Sequence, residues 1–595
     1  MKQNAIVEDD RLLSGLYLQL MTVNILIGLV QPFNQFVDSM LTGRGLGLEA
    51  LKAYALFLPV GSLILALSSF FALGTQITCS HMLGSGRFSE TKKLVQTALL
   101  SGSVFSVLFA VVLFGFSSQI AVLLGANPGV SGQIQETASY LRGYALGIPA
   151  IFLVSIMMSL LQLEGKKKFV VLLSLCIFVI NATGDLANIF VFKKGLFGMA
   201  AATAAANITV FLLLLIYFLA ASRMFRFSLA GFQKGDLLSI FRNGLPSLSY
   251  FGSLVIRTAF FNMLILTTLD GTVLAVMLVV NSFMTVIDAA IGGTGDATLL
   301  LGAVLYGQKD IRGQRRLLKT ALITGGLLLF VLSILSVIFA VPIAGLFSND
   351  SNPEFIAAAA RAIRLTSMCF VVDVLACVLK KYIQSVGRAK YTSVTNVLCN
   401  VVYVCIAAWI LVRLAGSDGL FLSFTVCYGL ILITHIVYAY RISQSSGRSG
   451  FDRLLFLPAH YEVSDANQWV YSIRDINGCV KASQRLASLC KEHGADKREA
   501  YLLALFVEEM TTNVIAHGFQ AGGNSVIVVK ALFLEDRIVL NILDDCPFFD
   551  PTYYYDKIRG NEEAFSGIGI RLVVGLARDI VYTNSFSLNN VIIEI

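Results

Sequence analysis

The sequence predicts a polytopic all-α membrane protein, about twelve transmembrane helices in two six-helix bundles, followed by a soluble α+β sandwich. Three observations predict it. Of 595 residues, 56% are hydrophobic and only 14% charged, with a mean hydropathy of +0.75. A soluble protein carries about 25% charged residues. Twelve apolar stretches are long enough to cross a bilayer. Finally, residues 1–454 carry a net charge of +14 and residues 455–595 one of −6, so a basic membrane block precedes a mildly acidic soluble one. That split fits juxtamembrane lysines and arginines and argues against a nucleic-acid partner.

The N-terminal MKQNAIVEDDRLL is polar, and no small-residue cleavage site follows the first apolar run, so the first span is read as retained. The spans lie near 14–41, 52–80, 95–116, 137–163, 169–192, 196–220, 246–269, 272–304, 318–345, 359–384, 392–413 and 419–440. Basic residues follow the even-numbered spans, as in Lys166-Lys167-Lys168 and Arg312, Arg315, Arg316, whereas the loops after odd-numbered spans nearly lack them. The positive-inside rule then puts both termini and the C-terminal domain in the cytoplasm of a cell bounded by this inner membrane. The ten cysteines form no CxxC and no Cys/His cluster, so neither a disulfide framework nor zinc is expected.

The halves repeat. Thr97-Ala98-Leu99 answers Thr320-Ala321-Leu322, QLEGKKKFV from Gln162 answers QSVGRAKYT from Gln384, and Asn127 answers Asn349. The three registers agree to within one residue. A parallel repeat of six spans makes two bundles, 1–222 and 223–445, with a cavity between them, which is a transporter's architecture.

Residues 25–54 contain the first chemical signal, Asp38, in an apolar helix pattern that also holds Pro32. A carboxylate there costs roughly 3 kcal/mol on insertion scales and marks a functional site unless it snorkels from a helix end. The fifth span adds Asn181 and Asp185, four apart and so on one helical face. The sixth adds Thr203 within GMAAATAAAN, whose small residues allow close helix approach. Two carboxylates, an amide and a hydroxyl suit Na⁺ as hard oxygen ligands, or a proton shared between the acids.

FVDSMLTGRGLGLEALKAYALFLPV, the Gly-containing second span before LGSGRF, LQLEGKKKF and FGMAAATAAAN resemble the multidrug and toxic compound extrusion (MATE) family over residues 10–445. The resemblance implies a twelve-helix antiporter that expels organic, often cationic, compounds in exchange for Na⁺ or H⁺. It places Asp38, Asn181, Asp185 and Thr203 in the cation site of the first lobe. The second half departs from it: Phe260 and Ala407 stand where Asp38 and Asp185 would repeat, so coupling is expected to be asymmetric. Arg257, Asp288 and Asp373 are read either as cavity-lining groups or as an internal salt bridge, and Lys380 and Lys381 as reaching the membrane interface.

After Arg441 the Ser/Gly-rich ISQSSGRSG begins a flexible linker, bounded at 446–454, from which the last domain hangs without docking between the bundles. In 455–595, helical periodicity in 480–494 and 497–517 and strands at 525–535, 537–545, 579–586 and 591–595 predict helices on one face of a mixed sheet. Glu509, Asn513 and His517 share one helical face, ILDDCPFFDP ends a strand, and Gly567-Ile568-Gly569 opens a helix. In this order they resemble the GHKL ATPase superfamily, most closely its anti-sigma-factor serine-kinase branch. The resemblance implies bound Mg-ATP, with Asn513 on Mg²⁺, Glu509 as general base, Asp544 on the adenine amine, and Gly567 and Gly569 flanking the phosphates. Cys546 stands where that family has glycine, which narrows the pocket or blocks a positive φ.

The expected function is ion-coupled export of small organic cations, with a cytoplasmic ATP-binding domain that regulates transport or phosphorylates an anti-anti-sigma-like partner. Two alternatives stay open: a lipid-linked saccharide flippase, and a membrane-tethered signalling kinase whose spans sense. No GxxxxGK[ST] stretch occurs, so ATP is not expected to power transport.

Overall fold

The computed structural model describes residues 2–595 apart from 47, 85–87, 125, 127–131, 221–232, 270–271, 346–352, 458–460, 462–467, 520–524, 534–536, 548, 552–553, 556–567 and 586–587. In the first half α1 (Lys2–Leu46), α2 (Leu48–Gly84), α3 (Phe88–Gly115), α4 (Ser117–Leu123), α5 (Gln133–Ala145), α6 (Ile148–Leu163), α7 (Lys167–Ala187) and α8 (Gly195–Ala220) follow one another. The second half repeats the series as α9 (Lys234–Thr268), α10 (Thr272–Gly307), α11 (Ile311–Ile338), α12 (Ala340–Gly345), α13 (Pro353–Ser367), α14 (Phe370–Ser385), α15 (Ala389–Val397) and α16 (Val404–Ser446). The duplication read from sequence thus recurs helix by helix. It extends to single residues: Gly165 and Gly387, in the turns after α6 and α14, have φ of 79° and 81°. Only glycine takes that conformation without cost.

Nine helices among the described residues are long and apolar enough to cross a membrane, or eleven when the pairs α5–α6 and α13–α14, bent by 44° and 43°, each count as a span. The 56-residue stretch Ala389–Gln444 is not one straight helix. Gly416 leaves helical geometry at φ 58°, ψ −137°, and the chain turns back so that Gly419 faces the Leu411 carbonyl. Taken as two spans, it completes the expected twelve.

The halves meet mainly at the end bearing the basic loops, here called the basic face. Among the described residues, the hydrogen bonds joining the halves lie in that part of the molecule. Tyr17 donates to the Thr294 carbonyl at 3.2 Å, Asn243 to Thr78 at 3.0 Å, and His81 Nε2 lies 2.6 Å from the Ser385 carbonyl. The backbones also touch: a Cβ on Gly293 would lie 2.6 Å from the Ile25 nitrogen.

The C-terminal domain has one five-stranded sheet, β1 (Gln468–Ile473), β2 (Ile527–Phe533), β3 (Ile538–Asp544), β4 (Asp579–Ser585) and β5 (Leu588–Glu594), in the order β1-β2-β3-β5-β4. Helices α17 (Ile476–Glu492), α18 (Lys497–Gly518) and α19 (Ile568–Leu576) accompany it. The α+β class holds, but every described pairing is antiparallel, not mixed. Strand β1 carried too short a pattern to be read, and pairing with β2 along its whole length makes it a strand. Ile527, Val529, Ala531 and Phe533 join Ile538, Leu540 and Ile542 in the core beneath the helices, as period-2 alternation requires.

The expected loose linker is a correction. Helix α16 runs on to Ser446, and residues Gly450–Leu455 form a 3₁₀ turn. Arg315 grips Asp452 with Nε–Oδ1 at 2.7 Å and Nη2–Oδ2 at 2.5 Å. Arg388 Nε donates to the Phe456 carbonyl at 2.7 Å. Phe456, Leu457 and Tyr461 are buried in the membrane domain's own core cluster. Ser/Gly composition signals freedom only when nothing packs on the chain, and here large apolar residues just beyond it anchor the segment.

Candidate functional sites

Three sites emerge. In the first bundle, α1 presents Asn34 and Asp38 and α7 presents Asn181 and Asp185, each pair four apart on one face. The Asn181 amide bridges the helices, donating to Asp38 Oδ1 at 2.6 Å and to Asn34 Oδ1 at 3.2 Å. Asp38, Asn181 and Asp185 are all buried. Both Asp185 oxygens and Asn181 Oδ1 are buried and accept from no N–H or hydroxyl, while the Asp185 and Asp38 carboxyls lie within hydrogen-bonding reach of each other. Three such acceptors in one place demand an explanation, and a cation or proton supplies it. The donor chemistry of these residues fits Na⁺ or a shared proton.

Helix α8 lies close to α7 because Gly184 faces Ala202, where a Cβ would come within 2.8 Å of the alanine methyl. Thr203 is buried next to that contact. Its carbonyl accepts from Asn207 at 2.9 Å, and no described hydrogen bond links its hydroxyl to Asp38, Asn181 or Asp185. Sequence reasoning missed Asn34, whose signal was its i, i+4 spacing to Asp38. It also did not single out a buried aromatic cluster of Tyr54, Phe57, Tyr140 and Tyr144, in which Phe57 lies 4.6 Å from each of the last two rings.

The second site is a cavity of about 530 Å³ lined by Tyr250, Arg257, Asp288, Asp373, Lys380 and Asn400, among others. The cavity reading of Arg257, Asp288 and Asp373 fits this, while the internal-salt-bridge reading does not. Arg257 donates to Asn400 Oδ1 at 3.2 Å and lies over Phe424. The interface reading of the lysines is corrected: Lys380 stands over the Tyr250 ring, and Lys381 pairs with Asp296 at 2.6 Å. Helix α14 turns both lysines inward, which their hydropathy alone did not show.

The third site lies in the C-terminal domain. Glu509 and Asn513 follow each other on α18, the helix covering the sheet. Gly569 at the start of α19 sits directly against the Glu509 carboxylate, leaving no room for a side chain. Gly567 lies outside the described residues. Asp544 ends β3 on the helix-covered side of the sheet and is buried. Its Oδ1 accepts from Asn589 Nδ2 at 2.7 Å and from the Cys546 N–H at 3.0 Å. Burial pushes the carboxyl above its usual range against the pull of those two donors. Asn589 was missed; it lies on β5, directly opposite Asp544 in the ladder. Cys546 has no positive φ, so the feared backbone conflict does not arise. Its side chain packs on Gly518, where a Cβ would lie 2.9 Å from its own. Burial pushes its thiol up to about 12, so it stays neutral. The residues present fit an adenine nucleotide: an anchored acid for the base, a glycine backbone near the phosphates, and an amide for the metal.

Comparison with known proteins agrees. The MatE family model matches residues 25–187 and 253–409, and the histidine kinase-like ATPase domain model matches 477–595. The multidrug export protein MepA of Staphylococcus saprophyticus is 28% identical over 199 residues, 33% of this chain and 44% of that protein. MepA of Staphylococcus aureus strain MRSA252 matches to the same extent, so the chain spans less than half the length of these curated relatives. Among solved structures, a MATE in complex with MaL6 superposes with a TM-score of 0.68 at 20% identity, covering 73% of this chain and 97% of that one. An outward-facing multidrug resistance MATE transporter gives 0.67 at 19%, covering 73% and 96%. A transporter from Pyrococcus furiosus, described by the reverse polarity of its binding pocket, gives 0.67 at 18%, covering 73% and 97%. This chain is a member of the MatE family of multidrug and toxic compound extrusion transporters, carrying a C-terminal histidine kinase-like ATPase domain.

Proposed function

We propose that the protein is an antiporter that exports small organic cations in exchange for Na⁺ or H⁺, and that its basic face, termini and ATPase domain are cytoplasmic. The observation that carries this is the Asp38–Asn181–Asp185 group. Its buried carboxyls, Asp185 beside Asp38, form an acidic site next to an aromatic cluster, and a bound cation or a shared proton offsets the cost of burying them. In this reading the ion and the organic cation compete for the first bundle. Release follows from rocking of the two repeats about the contacts at the basic face. Efflux of a fluorescent organic cation from proteoliposomes under an imposed Na⁺ or H⁺ gradient tests it. Efflux lost in Asp38→Asn and Asp185→Asn supports the antiporter, and gradient-insensitive movement in wild type refutes it.

The C-terminal domain is proposed to bind Mg-ATP, with Asn513 toward the metal, Glu509 as general base and Asp544 on the base's amine. It then regulates transport or phosphorylates a partner resembling an anti-anti-sigma protein. One observation favours a second reading of the membrane half. Arg257 and Lys380 line the second cavity without a direct ion pair to Asp288 or Asp373, as a pocket for a lipid-linked pyrophosphate requires. Competition of such a lipid with the fluorescent cation separates the two readings.

A further inference from the structure

The ATPase sheet has two faces, and they do different things. Period-2 alternation turns Asp544 and the core residues of β2 and β3 toward α17 and α18, the nucleotide side. Lys530 and Val528 of β2 point the other way, where Val528 joins Val470 and Val526 in a small separate apolar cluster. In an isolated domain that outer face would meet water. Here it meets the transporter. Strands β1 and β2 neighbour α1, the helix that enters the first half as its first span from Leu13 on. Lys530 Nζ reaches Asp310 Oδ2 at 2.9 Å, in the loop between α10 and α11 of the second half, and both side chains are largely buried. Asp310 also caps α11, its Oδ1 accepting from Gly313 N at 2.8 Å. The sheet therefore touches both halves, α1 through β1 and β2 and the α10–α11 loop through Lys530 on the outer face.

The connecting segment touches the same seam. Tyr461 stacks on Tyr306 of α10 with ring centroids 4.9 Å apart and donates to its carbonyl at 2.6 Å. Tyr306 in turn lies 5.2 Å from the ring of His81 of α2. His81 bonds the Ser385 carbonyl of α14 across the halves. Phe456, bulky yet held at φ 51°, is fixed by Arg388. A bulky residue keeps that backbone only when its surroundings impose it.

We propose that the ATPase sheet, with residues 450–457 and Tyr461, is a clamp on the cytoplasmic gate: it bridges both lobes and holds the His81–Ser385 closure shut. This deepens the proposed function, because it rests on the transporter rocking open at this face. Inward opening moves α1 and the α10–α11 loop apart, so it requires release of Lys530 from Asp310 or detachment of the sheet. The domain thus acts on transport by docking, from the side opposite its nucleotide site.

The test is hydrogen–deuterium exchange on the full-length protein in lipid nanodiscs, comparing wild type, Lys530→Glu and Lys530→Arg. Lys530→Glu sets like charge against a buried acid. It is expected to speed exchange on the order of tenfold or more in residues 306–316, and in step in 78–84 and 382–388, where the gate closes. Lys530→Arg keeps both segments protected. Faster exchange at 306–316 with an unchanged gate overturns the clamp, as does no change in either. Unaltered exchange in α18 and retained nucleotide binding show that the variant domain is folded. Should it not be, Asp452→Asn, which cuts the tether outside the domain, takes its place in the same readout. Absence of gradient-driven efflux from wild type would overturn the antiporter reading and leave the exchange result to decide the clamp.

Discussion

At the scale of single residues, the first-bundle site rests on one amide. Asn181 supplies the donor that joins α7 to α1, and its truncation to Ala leaves Asp38 without that bond. A hydrogen bond to a charged group contributes about 1.5–3 kcal/mol, so Asn181→Ala is expected to weaken ion-dependent thermal stabilisation and slow efflux at least tenfold. In the ATPase domain, Asp544→Asn replaces an acceptor by a group that also donates. The expected result is a roughly tenfold to hundredfold loss of fluorescent-nucleotide affinity, with the melting temperature little changed. Gly569→Ala forces a methyl into the Glu509 carboxylate and is expected to abolish nucleotide turnover more than binding. Much of this was legible in the chain. Asp38, Asn181 and Asp185 stood out because acids and amides at helical spacing are costly in apolar spans. Asn34 and Asn589 did not, because an isolated asparagine is unremarkable until its partner is placed opposite.

At the scale of elements, close approach decides the geometry. Gly184 lets α7 meet α8 at Ala202, and Gly184→Leu is expected to wedge them apart at about 1–3 kcal/mol, visible as a lower melting temperature. The α10–α11 loop carries a pH signature. Burial pushes the Asp310 carboxyl up, but Lys530, the Gly313 N–H and Arg312 outweigh it, and the group ends below its ordinary 3.8. A lowered carboxyl stabilises its ionised partnership above the unfolded value and loses that contribution as the pH falls through the folded one. Protection of residues 306–316 should therefore be flat from pH 8 to 5 and decline only below 3.8. The linker was misread at this scale, since local Ser and Gly said nothing of the anchors Phe456 and Tyr461 that follow.

At the scale of the whole molecule, the two repeats touch backbone to backbone only where small residues permit. Gly293→Leu would drive a side chain into Ile25. It is expected to prise α1 from α10 within the span, raising exchange at 78–84 and abolishing coupled efflux while the C-terminal core stays protected. The chain by itself determined the membrane class, the duplication, the acids of the first bundle and the nucleotide motifs. Each is written in composition, spacing or the order of a few residues, and hydrophobic burial and helical periodicity act on those locally. The tertiary structure alone decided that Lys380 and Lys381 turn into a cavity, that Gly518 makes room for Cys546, and that the ATPase sheet lies on the seam between the lobes. Those outcomes depend on which surfaces meet across hundreds of residues, and no local pattern encodes the partner of Lys530.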